Sequence, residues 1–271
     1  MTKRPCNTLL ALLVSAFSLA PLPLLAEQAA ATAPDTSTAS AQAPDQVVSP
    51  EAQAVVDRMT AYLKTLKTYS IDSQVTRDEV VQLGYKLQHN QHSITTVQLP
   101  NKMRSETTGD IRDRISVYDG AKVTMYSPDD NVYVRVDAPD SLGKLVSRLL
   151  DLGVDMPLID VLYQANADSL TADVDGGVLI GDSTVDGVDC DQLAFRQENI
   201  DWQIWVEQGA RPLLKRILIT TRYEVGEPQY QATLRWNLQP KIDASTFAFT
   251  APKGATEIPF VSPPATPNDA Q

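Results

Sequence analysis

Gln229-Tyr230-Gln231-Ala232-Thr233-Leu234-Arg235-Trp236-Asn237-Leu238 changes sides at every residue. Tyr230, Ala232, Leu234, Trp236 and Leu238 share one face; Gln229, Gln231, Thr233, Arg235 and Asn237 share the other. A period of two marks a β-strand with one dry and one wet face. A wet face is foreign to the doubly covered strands of a parallel sheet and natural in an antiparallel one.

The same pattern recurs along the chain. Upstream lie strand-like runs at Val178–Ile180, Cys190–Arg196, Trp202–Val206 and Leu213–Tyr223. Earlier still, Tyr69, Ile71, Ser73 and Val75 alternate with Ser70, Asp72, Gln74 and Thr76. Further runs are expected at about Tyr85–Gln98, Met103–Thr107, Ile115–Tyr118, Val123–Tyr126 and Val132–Val136. Turn residues such as Asp119-Gly120 and Pro128-Asp129-Asp130-Asn131 separate them, which describes a meander. Phe247-Ala248-Phe249, closed off by Pro252, reads as a last edge strand.

Two interruptions have helical spacing. Ser49 is a suitable N-cap and Pro50 suits the first helical position, where its missing N–H costs nothing. Ala52, Val55, Val56, Met59, Leu63 and Leu66 then form one stripe, so a helix is expected to about Lys67. Between Pro139 and Ala167, Leu142, Leu145, Val146, Leu149 and Leu150 form a second stripe. Leu158, Ile159, Val161 and Leu162 form a third. Helix, strands, helices, strands is the order of an α+β fold with the helices on one face of an antiparallel sheet.

The ends carry different information. Lys3 and Arg4, the apolar run Leu9–Leu25 and small Ala26 predict a secretory signal peptide over residues 1–26. Residues 27–48 form an Ala/Pro/Ser/Thr-rich linker, 49–260 the folded domain and 261–271 a polar tail. Losing Lys3 and Arg4 takes the net charge from −11 to −13. Such a surface disfavours nucleic acid and anionic membranes as partners and suits a basic protein. No transmembrane segment is expected after cleavage, which predicts a soluble periplasmic protein. Cys190 is then the sole cysteine, so no structural disulfide is expected.

The chemistry-bearing residues are sparse. His89 and His92 stand three apart on a strand and face opposite ways, which does not chelate one metal. Asp173-Val174-Asp175-Gly176-Gly177 lacks the later ligands of a calcium loop. Asp182, Asp186, Asp189 and Asp191 surround a Gly turn and read as solvated turn residues. Gly181-Asp182-Ser183 is no nucleophile elbow, which places glycines on both sides of the serine. The reading is therefore no enzyme, no cofactor and no metal. The apolar stripes belong either to a filled core or to a ligand cavity, and periodicity does not separate the two.

Asp186-Gly187-Val188-Asp189-Cys190-Asp191-Gln192-Leu193-Ala194-Phe195-Arg196, Asp201-Trp202-Gln203-Ile204-Trp205 and Gly209-Ala210-Arg211-Pro212-Leu213 resemble an uncharacterised family of predicted bacterial periplasmic proteins. Val117-Tyr118-Asp119-Gly120, Asn131-Val132-Tyr133 and Phe247-Ala248-Phe249 fit the same pattern, so the resemblance spans nearly all of the folded part. The family's pattern has a histidine where this chain has Gln192, so any role of that histidine has no counterpart here. At the level of fold the family resembles the LolA/LolB lipoprotein carriers and RseB. That resemblance implies a strongly curved antiparallel sheet, an open half-barrel, with helices covering the concave face and a cavity for a lipid or acylated protein. The expected lining is Leu145, Leu149, Ile159, Leu162, Trp202, Ile217, Ile219, Leu234 and Trp236. The alternative is an envelope regulatory or protein-interaction module with no small ligand.

Overall fold

Strand pairing over a long, alternating sequence dominates the molecule. The computed structural model describes residues 47–151, 157–166 and 170–260. Twelve strands follow in chain order: β1 Thr68–Val80, β2 Lys86–Gln98, β3 Lys102–Gly109, β4 Arg114–Tyr118, β5 Lys122–Ser127, β6 Val132–Asp137, β7 Gly176–Val185, β8 Val188–Arg196, β9 Ile200–Glu207, β10 Leu214–Thr221, β11 Gln229–Asn237 and β12 Thr256–Glu257. Three helices are α1 Pro50–Thr65, α2 Leu142–Asp151 and α3 Pro157–Asn166. The strands form one large, open, curved sheet in the order β12-β6-β5-β4-β3-β2-β1-β11-β10-β9-β8-β7. Every pairing is antiparallel except β12 with β6.

The two halves of the chain meet where β1 pairs with β11. Ile71 stands opposite Trp236 on one side and opposite Thr95 on the other. Following such pairs outward defines one continuous face across the sheet. It carries Leu234, Ala232, Ile217, Ile204, Leu193 and Phe195 on the β7 side, and Val97, Met103, Tyr118 and Val123 on the β6 side.

All three helices lie on that face. Ser49 caps α1 by accepting the Ala52 N–H at 3.2 Å. The helix ends at Thr65, two residues before the expected Lys67, because Leu66 is already extended. Its stripe of Ala52, Val55, Val56, Met59 and Leu63 packs into the core of β1 and β8–β11. Leu145 of α2 packs with Tyr118 and Val123, flanked by Leu142 and Leu149. The helix α3 touches both α1 and α2.

The opposite face corrects one expectation. Phe247-Ala248-Phe249 forms no strand, and the last edge strand is β12. Asp243 Oδ1 accepts N–H bonds from Ser245 and Thr246 at 2.8 and 3.0 Å, curling the chain into turns just before the run. Phe247 is then buried, and the Phe249 ring packs on Tyr126 and Tyr133, with centroids 5.8 and 5.2 Å away. Aromatic anchoring against a sheet surface replaces the ladder that three alternating residues suggested.

Each sheet edge is met by a terminal segment of the described chain. Val47 O accepts from Gly177 N, and Ser49 N donates to Gly177 O, along β7. Gly177 is required there, since a Cβ would lie 2.6 Å from the Phe195 ring. At the other edge Thr256 N and Ile258 N donate to Asn131 O and Tyr133 O. Asp186 and Gly187 both have positive φ in the two-residue turn joining β7 to β8, which accounts for the Asp-Gly pair. The predicted signal peptide, most of the linker and the tail lie outside the described residues.

Candidate functional site

The helix-bearing face changes chemistry at its middle. Across β8–β11 it presents Leu, Ile, Phe and Trp, and α1 fills the space above them. Across β1–β3 the same face presents Ser73, Ser93, Thr95, Ser105 and Thr107. Small side chains reach less far from the sheet, so the floor sinks where no helix stripe fills it.

Four of the five floor hydroxyls bond one another. Thr107 Oγ1 donates to Ser93 Oγ at 3.1 Å, Ser93 and Ser105 are 3.3 Å apart, and Ser105 and Thr95 are 2.9 Å apart. These four keep their partners when water is displaced from above them.

Two adjoining cavities lie over this floor. The inner one, of 180 Å³, sits between α2, α3 and the sheet and is lined by Tyr69, Ile71, Val97, Met103, Gly143, Val146, Leu162 and Tyr163, among others. Burial pushes the Tyr69 phenol up to about 12. The outer cavity, of 340 Å³, runs over the hydroxyl floor. Thr95, Leu158 and Ile159 line both, so the two adjoin as neighbouring parts of one groove. The far end of the groove is lined by Arg77, Arg112 and Arg114, with no carboxylate among the lining residues. Arg112 pairs with Asp130 at 3.2 Å, and both side chains are about half exposed.

The sequence-predicted lining residues divide into two groups. Ile159 and Leu162 line the inner cavity. Leu145 is buried beside it in the α2 cluster, with Leu149 packed against that cluster. Trp202, Ile217 and Leu234 are buried in the filled core under α1, and Ile219 and Trp236 pack against that core. The Trp202 ring stacks on Phe195 at 4.1 Å. The hydroxyl floor and the three arginines were not anticipated. Ser73 was visible on the apolar face of its strand, but the register that sets Ser93, Ser105 and Thr107 beside it is not written locally.

The remaining polar candidates are engaged elsewhere. His89 pairs with Glu79 and His92 with Asp72, each at 3.0 Å, on opposite faces of β2. Asp186 pairs with Arg235 at 2.8 Å, Asp191 with Arg58, and Asp182 accepts from Gln208. Burial pushes the Cys190 thiol up, in a small cluster with Val185 and Trp205.

The model of a family described as predicted periplasmic proteins (DUF2092) matches residues 52–261. The chain belongs to the DUF2092 family. Its compartment is the periplasm, and among the described residues no helix is long and apolar enough to cross a membrane. No curated protein matches this DUF2092 chain. Among solved structures it is similar to the Mycobacterium tuberculosis lipoprotein LppX, with 15% identity, TM-score 0.45, and coverage of 72% of this chain and 99% of that one. LprF from Mycobacterium bovis gives 15% identity, TM-score 0.46, and coverage of 76% and 98%. A LolA superfamily protein from Nitrosomonas europaea gives 10% identity, TM-score 0.33, and coverage of 72% and 96%.

Proposed function

We propose that this DUF2092 protein is a non-catalytic periplasmic binder of an apolar chain, such as the acyl chain of a lipid or lipoprotein. In this reading the helices cover the concave side of a half-barrel, and α2 and α3 are the part that yields to admit the chain. The observation that carries it is the apolar 180 Å³ cavity adjoining the hydroxyl-floored 340 Å³ cavity along Thr95, Leu158 and Ile159. A methylene takes about the volume of a water molecule in the liquid, roughly 30 Å³, so the inner cavity holds on the order of six. Burying six contributes about 5 kcal/mol at ~0.8 kcal/mol each. The proposal takes Ile159 and Leu162 as direct contacts and Leu145 and Leu149 as the packing that seats α2.

A second reading draws on a different surface. Leu83, Tyr223 and Val225 are 94%, 68% and 83% exposed at two hairpin tips, which Lys86 ties together by donating to Gly226 O at 3.2 Å. Exposed apolar residues gathered in this way suit a protein partner.

Native mass spectrometry of protein purified gently from the periplasm, followed by organic extraction, separates the two. The expected result is a reproducible added mass that extracts as a lipid. A clean unliganded mass, with no uptake of offered fatty acids or phospholipids, would favour the protein-interaction reading.

A further inference from the structure

The groove has two chemically different ends, and they lie along the strands. Its apolar end is at Tyr69 and Ile71, early in β1, with Val97 late in β2 and Met103 early in β3. Its other end is at Arg77, late in β1, with Gln91 early in β2, Thr107 late in β3 and Arg114 at the start of β4. The register puts Arg77 and Arg114 on the same face as Ile71 and Val97. Six residues separate Ile71 from Arg77, a distance of about 20 Å along a strand. One leaflet's share of a bilayer's hydrocarbon core is about 15 Å.

The arginine end stands out against the protein's charge. A chain of net charge −11 places three guanidinium groups among the residues lining one end of one groove, with no carboxylate in the lining itself and Asp130 paired to Arg112 from outside it. Three of the acidic residues nearby in sequence accept backbone N–H bonds. Asp110 accepts the Asn90 N–H at 2.7 Å, Asp113 accepts from Gly109 N, and Asp129 accepts from Asp113 N. Asp130 holds Arg112, but in a half-exposed pair of the kind that contributes little and exchanges readily. Guanidinium groups bind carboxylate and phosphate oxygens through paired N–H donors, which a neutral head does not exploit.

We propose that the groove selects amphiphiles with an anionic oxygen head, a carboxylate or a phosphate monoester, held by Arg112 and Arg114 with Arg77 beside them while the chain lies toward α2 and α3. This rests on the reading of the groove as a chain-binding site and adds the class of head group. The hydroxyl ladder between the two ends gives the shoulder of the ligand a polar floor that is already satisfied.

The test uses the purified full chain and four probes below their aggregation limits: decanoate, decyl phosphate, decan-1-ol and inorganic phosphate. Affinities are measured by titration calorimetry for the wild type and for the Arg112→Gln/Arg114→Gln variant, whose fold is checked by its thermal melt. The expected result is that decanoate and decyl phosphate bind at least about tenfold tighter than decan-1-ol. The variant brings that ratio to about one, and added salt narrows it in the wild type. Equal affinity for acid and alcohol in the wild type, or a ratio that survives in the folded variant, overturns the head-group proposal and leaves chain binding intact. Binding of none of the three chain probes overturns the chain-binding reading itself. Tight binding of inorganic phosphate without any gain from the decyl chain overturns both, by making the arginines a small-anion site.

Discussion

Gly143 gives a way to close the inner cavity without weakening the protein. It lines that cavity from the first turn of α2, and a Cβ built on it would meet the Tyr163 ring at 3.6 Å, an ordinary contact. Leucine adds four carbons, roughly 120 Å³ at about 30 Å³ each, to a space of 180 Å³. A bound chain then loses about four methylenes from the cavity, on the order of 3 kcal/mol at ~0.8 kcal/mol each. That corresponds to about two orders of magnitude in affinity. Replacing glycine in a helix also removes a penalty of up to about 1 kcal/mol, so Gly143→Leu melts at or above the wild-type temperature. Calorimetric titration with decanoate reads the first effect and a thermal melt the second. Chain affinity within threefold of wild type in a folded Gly143→Leu protein would refute the assignment of this cavity as the chain site. A lowered melting temperature would refute the claim that the space is open.

Tyr69 predicts a response to alkali. Its phenol is raised from 10 to about 12 by burial, so the unfolded chain ionises first and the folded state loses stability as pH rises through 10 to 12. Urea melts at pH 9 and 11 measure this slope, and Tyr69→Phe is expected to flatten it; an equal slope in the variant would count against the burial of that hydroxyl. Phe247 predicts a cost in stability. It is 6% exposed on the face opposite the helices, and Phe247→Ala is expected to lose about 3 kcal/mol in a denaturant melt. A loss under about 1 kcal/mol would mean that this segment contributes little to the fold.

The alternation from Gln229 to Leu238 and the apolar spacings of Pro50–Thr65, Leu142–Asp151 and Pro157–Asn166 carried the mixed fold and its order directly, since side-chain period follows backbone geometry. Phe247–Phe249 shows the limit of that signal. Three alternating residues match a strand, but their rings dock on Tyr126 and Tyr133, and nothing in the triplet encodes that surface. The cavity divides in the same way. Leu162 and Ile159 stood out because apolar residues form stripes. Ser73, Ser93, Ser105 and Thr107 become one floor only through the pairing of three strands, and Arg77 and Arg114 meet at one end only through that register. A search for apolar stripes passes over a groove whose depth comes from small hydroxylated residues.

The pairing at the two sheet edges bears on how the protein behaves in a crowded compartment. An open twelve-stranded sheet exposes two rows of backbone donors and acceptors, each able to recruit a strand from another molecule. Here residues 47–49 occupy part of the β7 edge, and residues 256–258 occupy part of the β6 edge. These are short stretches with no core of their own, so they act as stoppers: residues 47–49 add only a bridge, and β12 is a strand of two residues. Trimming either one would leave the interior packing largely intact and unseal an edge. The damage would surface as concentration-dependent self-association, joined at the β7 edge by a lower melting temperature, because Ser49 also caps α1.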